Sequence, residues 1–198
     1  MDVPEKSPHG MAVTVMASPP TSRVRAQPEE CPEREFRAAA GKFASGVTVV
    51  TTRNGGEVFA KTVSAFGSLS LEPRMVSVSI GRMSPLVTAI LATEVFAVSV
   101  LRDDQQRVSR HFATRGNGRA IGSFPSVATE SFVTGAPVIS GCLSYFDCRL
   151  ESVVGGGDHA ILIGRVAGAG SVPGRPLVYF DGGYREIDAP GAATGVPA

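Results

Sequence analysis

The chain has 198 residues, of which 43% are hydrophobic and 19% charged, a composition typical of one globular domain with its own core. Its 19 lysines and arginines against 18 aspartates and glutamates give a net charge of +1, which argues against nucleic acid or an anionic membrane as partner. The apolar runs are shorter than the roughly 20 residues of a membrane-spanning helix, and we read no export signal, so we expect a cytoplasmic protein.

The two ends of the chain differ in composition from its middle. Residues 1–32 are rich in proline and show no sustained periodicity, which predicts a disordered N-terminal arm. Residues 188–198 are small and weakly apolar and predict a disordered C-terminal tail. One folded domain is therefore expected over residues 33–187.

The first half of this domain predicts a helix, a hairpin and then alternating strands and helices. Apolar residues at spacings of three and four predict a helix over residues 33–43. The run Arg53-Asn54-Gly55-Gly56 predicts a hairpin turn between strands at 47–52 and 58–66. The next elements are a strand at 75–80, a helix at 85–92, a strand at 95–101 and a helix at 103–112.

The second half predicts strands joined by short glycine-rich turns. Residues 115–134 indicate no element, and the strand-like segments that follow are 138–139, 143–154, 160–167 and 177–184. Short connections favour a mainly β, antiparallel barrel with decorating helices. A doubly wound parallel sheet fits less well, because this half lacks the crossover helices that parallel strands need.

A run of small and hydroxylated residues extends from Lys61 to Leu71. Four of its hydroxyls share one parity, and so one side of an extended chain: Thr62, Ser64, Ser68 and Ser70. Small side chains let a flat ligand approach main-chain N–H and C=O groups. On pattern alone, this alternation is more typical of an ordinary half-buried strand with a solvated face.

Two further segments are candidate binding sites. At residues 81–85 Ser84 is placed to cap a helix beside Arg82, and a helix N-terminus can bind phosphate, although many helix starts of this kind bind nothing. At residues 155–159 a triple glycine precedes Asp158 and His159. The carboxylate could set the charge and tautomer of an imidazole that contacts a ligand, or the segment is simply a turn with a surface histidine.

Other catalytic chemistry is poorly supported by the sequence. The three cysteines, Cys31, Cys142 and Cys148, match neither a zinc spacing nor a redox pair, so we expect reduced thiols and no metal site. We find no Ser/His/Asp triad, no P-loop and no GxGxxG fingerprint. The last of these argues against a Rossmann oxidoreductase.

Seven segments, in order, resemble the flavin reductase family of the FMN-binding split-barrel fold, the reductase component of two-component flavin-dependent monooxygenases. They are FASGVTVVTT (43–52), KTVSAFGSLSLEP (61–73), FAVSVLRDDQ (96–105), HFATR (111–115), GCLSYFDCRLESV (141–153), GGDHAILIGRV (156–166) and PLVYFDGGY (176–184). The resemblance implies a homodimer that transfers a hydride from NADH or NADPH to FMN or FAD and releases reduced flavin to a partner monooxygenase.

The resemblance also implies a set of site residues. The implied flavin contacts are Lys61, Thr62, Val63, Ser64, Ala65, Ser68 and Ser70, with phosphate contacts from Arg82, Ser84, Phe112 and Arg115. The implied NAD(P)H contacts are Arg37, Asp158, His159 and Tyr184, with His159 as the catalytic residue that positions the nicotinamide.

Several alternatives stay open at this point. A protein of the same fold could carry or sense flavin, or transfer electrons, without reductase turnover. An oxidase of a phosphorylated, pyridoxal-type substrate would need a more basic pocket than Arg82 and Arg115 provide. Residues 117–124 depart from the family pattern, which leaves the choice between FMN and FAD open. The choice between NADH and NADPH is also undecided.

Overall fold

The computed structural model describes residues 31–114 and 127–187, so the predicted disorder of residues 1–30 and 188–198 lies outside the described residues. Within these ranges the helices are α1 (Glu33–Ala40), α2 (Pro85–Thr93) and α3 (Gln106–Ala113), with a 3-10 turn at Asp103–Gln105. The strands are β1 (Ser45–Gly46), β2 (Thr48–Asn54), β3 (Glu57–Val63), β4 (Phe66–Leu71), β5 (Arg74–Gly81), β6 (Val95–Val100), β7 (Thr129–Ser131), β8 (Pro137–Ile139), β9 (Ser144–Gly156), β10 (His159–Ser171), β11 (Val178–Phe180) and β12 (Gly183–Arg185).

Seven strands form the main sheet, in the order β3-β2-β6-β9-β10-β5-β4, and each neighbouring pair is antiparallel. Its two outermost strands, β3 and β4, are separated in the chain by Ser64 and Ala65 alone. The sheet must therefore curl until its two edges meet at that corner. The predicted antiparallel β-barrel with decorating helices is confirmed.

The core lies inside this curled sheet because apolar and polar residues alternate along its strands. In β5 Val76, Val78 and Ile80 are buried, whereas the serines between them are half-exposed. Helix α2 closes one end of the core with Leu86 and Ile90, both fully buried. Each such side chain contributes about 1.5–3 kcal/mol when it leaves water, so this cluster is the main source of stability for the barrel.

A second cluster lies under α3 and fixes that helix to the barrel. Phe112 is 1% exposed and packs with Val49 of β2, with Leu101 just after β6 and with Leu177 just before β11. The opposite face of α3 carries arginines, so the helix is amphipathic, as its pattern predicted.

Several predicted boundaries are wrong. The first helix ends at Ala40 rather than residue 43, and the helix predicted from residue 103 begins with a 3-10 turn. The segment at 177–184 forms two strands rather than one, because Asp181 and Gly182 adopt φ values of 49° and 76° and turn the chain back. Within the described residues, none of the helices has the length and apolar character needed to cross a membrane.

Candidate active site

A cleft of about 580 Å³ opens between the end of α1 and strands β4, β5 and β10. Many of its lining residues carry small side chains: Gly41, Ser45, Ser64, Ala65, Gly67, Ser77 and Ser79. Larger apolar groups bound it, among them Phe43 and Ile161. A cavity of this size, lined by small side chains and a few hydroxyls, is suited to a flat organic ligand.

The corner between β3 and β4 gives the cleft its exposed main chain. The amide of Phe66 donates to the carbonyl of Ser64, and the amide of Ser79 donates to the carbonyl of Ala65, both at 3.0 Å. Ser64 and Ala65 themselves are exposed. The predicted strand through residue 66 is therefore interrupted at the place where main-chain groups were expected to face a ligand.

The prediction that four hydroxyls form one row is wrong. The corner breaks the alternation after Val63, and a register shift between Ser68 and Ser70 breaks it again. As a result Gly67 lies opposite Ser77 and lines the cleft, whereas Ser68 lies opposite Val76. A period of two in the sequence cannot reveal such a bulge, because the inserted residue leaves the spacing unchanged.

The other predicted flavin residues of β3 lie beneath this corner. The Thr62 hydroxyl donates to the carbonyl of Ser109 in α3 at 2.7 Å, and Val63 is 6% exposed in the core. Lys61 is half-exposed on the same strand. Thr62 therefore anchors the strand that leads into the corner, with its oxygen lone pairs still able to accept a hydrogen bond.

Two segments that the sequence analysis singled out separately meet at one end of the barrel. His159 at the start of β10 lies opposite Gly81 at the end of β5. The main-chain amide of Arg82 donates to the carbonyl of Asp158 at 2.9 Å, and its guanidinium Nη2 donates to the carbonyl of Gly157 at 2.5 Å. The arginine segment and the triple-glycine turn thus form a single structural unit.

The Asp158 carboxylate contacts the imidazole of His159, with Oδ1 2.7 Å from Nδ1. This hydrogen bond, and with it the positive charge that the imidazole can carry, holds the pKa of the Asp158 carboxyl below its ordinary value. The side chain of Asp158 is 93% exposed and that of His159 46% exposed. The imidazole is therefore fixed at one nitrogen and accessible to a ligand.

Strand register relates this imidazole to the cleft. Ile161 lies opposite Ser79, and both line the cleft; His159 lies opposite Gly81, two residues further along each strand. Alternate residues of a strand share a face, and a step of two residues covers about 6.6–6.8 Å. His159 therefore continues the cleft-lining face of the sheet, one residue pair beyond Ile161.

Ser84 occupies the predicted position at the start of α2, with Pro85 as the first helical residue. Its φ and ψ of −71° and 130° are those of a cap, but within the described residues its hydroxyl makes no capping hydrogen bond. This leaves the hydroxyl available to a ligand at the helix N-terminus, next to Arg82 in the chain.

Tyr184 and Arg37 each contact partners other than this imidazole. The Tyr184 hydroxyl lies 2.8 Å from the hydroxyl of Ser109, and Arg110 lies over its ring at 5.6 Å. The ring centroid of Tyr184 lies 5.5 Å from that of Tyr179, which lines the cleft. Arg37 pairs with Glu33 along the exposed face of α1 at 2.7 Å.

The remaining predicted phosphate contacts divide into one buried residue and one that is not described. The Phe112 side chain is in the core, so a contact from this position would come from its main chain. Arg115 lies outside the described residues.

Sequence reasoning missed the contribution of β5 to the site. Ser77 and Ser79 line the cleft and alternate with the buried Val76, Val78 and Ile80. That alternation was visible in the sequence and could have identified a polar face on this strand. The contribution of Tyr179 depends on the curling of the sheet, which no local pattern shows.

Comparison with known proteins identifies relatives over most of the chain. The family model described as a flavin reductase like domain matches residues 40–188. The reductase component of 4-hydroxyphenylacetate 3-monooxygenase from Thermus thermophilus is 38% identical over 153 residues, which are 77% of this chain and 95% of that protein. An NADH-dependent flavin reductase from a Rhodococcus species is 35% identical over 156 residues, covering 77% of this chain and 85% of the relative.

A solved structure agrees with these relatives. The NADH:FAD oxidoreductase of Streptomyces globisporus, in complex with NAD and FAD fragments, superposes with a TM-score of 0.74 at 32% identity and covers 81% of this chain and 95% of its own. The chain has the split-barrel fold that its sequence pattern resembled.

Proposed function

The chain belongs to the flavin reductase-like family, and from this premise we propose that it transfers a hydride from NADH, or NADPH, to FMN or FAD and releases the reduced flavin to a partner monooxygenase. The observation that carries the proposal is a cleft lined by small side chains. The face of the sheet that lines this cleft continues to the Asp158–His159 pair. The names of the relatives, a monooxygenase reductase component and an NADH-dependent flavin reductase, support the same activity.

The cleft fits a flavin ring in both size and chemistry. Its volume of about 580 Å³ lies within the range of roughly 300–1,000 Å³ found for small-molecule sites. The corner at Ser64 and Ala65 would offer main-chain groups to the polar edge of the ring, and Ser77 and Ser79 of the adjoining strand β5 line the same cleft. In this proposal the start of α2, with Ser84 and Arg82, contacts the flavin phosphate, and the Ser84 hydroxyl, which caps no helix amide among the described residues, supports that role.

When both cofactors are bound, the flavin accepts a hydride from the nicotinamide, and the protein contributes chiefly by positioning the two rings. An ionised carboxylate can only accept hydrogen bonds, so Asp158 keeps a proton on Nδ1 of His159. Nε2 then remains for contact with the nicotinamide or its phosphates. Main-chain N–H groups at the corner would stabilise negative charge on the bound ring.

The second part of the proposal is a homodimer in which each copy covers apolar surface of the other. Large apolar side chains are strongly exposed on or beside elements that contribute to the cleft: Phe36 in α1 is 64%, Phe43 81% and Leu71 at the end of β4 88% exposed. Exposed apolar patches of this kind are typical of protein interfaces. We further propose that the dimer acts in the cytoplasm, where reduced nicotinamides are available.

The activity is tested by following absorbance at 340 nm with NADH and with NADPH, each with and without added FMN, FAD and riboflavin. We expect nucleotide oxidation that requires added flavin, because the flavin acts as a substrate that dissociates after reduction. Tight flavin binding without oxidation of either nucleotide would favour a carrier or sensor. Analytical ultracentrifugation tests the dimer. A monomeric protein at the assay concentration would contradict this part of the proposal.

A further inference from the structure

The triple-glycine turn between β9 and β10 is held by Arg82 from outside the hairpin. Gly155 and Gly156 are paired with Ala160 and His159 in the β9–β10 ladder, and the turn itself consists of Gly157, with a φ of 64°, and Asp158. Glycine loses more conformational freedom on folding than any other residue. Contacts from outside the hairpin therefore limit the movement of the two turn residues, which lie beyond the paired residues of the β9–β10 ladder.

Arg82 supplies these contacts from both its main chain and its side chain. Its amide donates to the carbonyl of Asp158 at 2.9 Å, and its Nη2 donates to the carbonyl of Gly157 at 2.5 Å. The same nitrogen lies 3.7 Å from the point where a side chain on Gly155 would begin. The guanidinium thus lies against the end of the hairpin from Gly155 to Gly157.

We propose that Arg82 is a positioning residue for the nicotinamide site: it fixes the turn that carries Asp158 and His159, so that the imidazole stays at the end of the cleft. The inference rests on the proposed function and adds to it a role that is independent of any phosphate contact. A guanidinium has five N–H donors, and one of them is used by Gly157. The others remain for a phosphate, so the two roles can coexist and must be separated by experiment.

Riboflavin separates the two roles because it has the flavin ring but no phosphate. With riboflavin as acceptor, we expect Arg82→Met to raise the KM for NADH about tenfold while the Kd of riboflavin changes less than about twofold. Arg82→Lys, which can still donate to the Gly157 carbonyl, should recover part of this loss. An effect of Arg82→Met with FMN that disappears with riboflavin would reduce Arg82 to a phosphate contact and overturn the proposal.

A double-mutant cycle tests whether Arg82 acts through His159. In a His159→Ala background, Arg82→Met should raise the KM for NADH further by less than about twofold, because the group that it positions is already absent. A purely structural contribution would instead persist in that background. Independent, multiplicative effects of the two substitutions would contradict the inference.

Hydrogen exchange of the flavin-free protein tests whether Arg82 fixes the turn, and it requires no catalytic turnover. We expect Arg82→Met to accelerate exchange of main-chain amides in residues 155–160. The matched control is Arg53→Met, an exposed arginine beside the glycine turn of the β2–β3 hairpin, which should leave these amides unchanged. Unaltered amide exchange rates in Arg82→Met would contradict the proposed role of Arg82 in fixing the turn. If the wild-type protein oxidises neither NADH nor NADPH, the proposed function fails, and this measurement still decides the structural role of Arg82.

Discussion

The imidazole of His159 lies at a hydrogen-bonded distance of 2.7 Å from the carboxylate of Asp158, and its strand partner Gly81 ends the strand whose serines line the cleft. One turn therefore carries the candidate nicotinamide group and aligns it with the candidate flavin cleft. The fold achieves this through strand register, since residues 159 and 161 share a face of the sheet.

Replacing His159 with alanine should impair nicotinamide binding more than flavin binding. The imidazole lies beyond the cleft-lining pair Ile161 and Ser79, so its loss leaves the cleft walls intact. We expect the KM for NADH to rise by about tenfold or more and the flavin Kd to change less than about twofold. Equal changes in both would show that the imidazole is not specific to the nicotinamide.

The pKa of Asp158 should depend on its neighbour. Hydrogen bonding to His159 lowers the pKa of this carboxyl in the folded protein, so the contact is complete above the unfolded-state pKa and is lost as the pH falls through the lowered value. In His159→Ala the pKa should rise toward that of an unperturbed aspartate. NMR titration of the carboxyl carbon measures the shift, and an identical pKa in both proteins would contradict the contact.

A bulky side chain at position 79 should block the cleft. Ser79 is half-buried on the wall formed by β5, and phenylalanine there would occupy space that we assign to the flavin ring. We expect Ser79→Phe to weaken flavin binding by about tenfold or more, with an unchanged circular dichroism spectrum. Ser131→Phe, exposed on β7 and outside the cleft lining, is the control and should bind flavin normally.

Gly164 in β10 is required by packing. A side chain there would begin 2.8 Å from Cε1 of Phe96 and 2.9 Å from Cβ of Cys148, and both neighbours are fully buried. Gly164→Ala should lower the free energy of unfolding by about 1–3 kcal/mol, the usual cost of overpacking. Gly46→Ala, with nothing within 4 Å of the new carbon, should change it far less in a denaturant titration.

The three thiols should differ in reactivity. Burial, with the negative charge of Asp147, raises the pKa of Cys148 to about 12, and burial also raises that of Cys142. The thiolate is the reactive form, so at pH 8 an aromatic disulfide reagent should modify the exposed Cys31 first and Cys148 last, after unfolding. Rapid modification of Cys148 in the native protein would contradict its burial.

The sequence predicted the barrel because its strands and turns are local features. Alternation in β5, the Gly55-Gly56 turn and the proline at the start of α2 all lie where the patterns placed them. The row of four hydroxyls failed, because a two-residue corner at Ser64 and a bulge beside Ser68 redirect the side chains. Both features arise from closing the sheet rather than from residue spacing.

The sequence identified separate parts of the site but not how they lie together in space. Arg82 and the triple-glycine turn were each recognisable, whereas their contact joins residues 75 positions apart in the chain. The same holds for Tyr184, whose hydroxyl lies against Ser109 across 75 residues. Long-range contacts of this kind are set by barrel closure and leave no local signal in the sequence.

A crystal structure of the protein with FMN and NAD⁺ tests the central claim most directly. The account predicts the flavin ring in the cleft that Ser64 and Ser79 line, with the nicotinamide ring about 3–3.5 Å above it and within contact of His159. A flavin ring bound outside this cleft, or a nicotinamide stacked on it far from His159, would contradict the account.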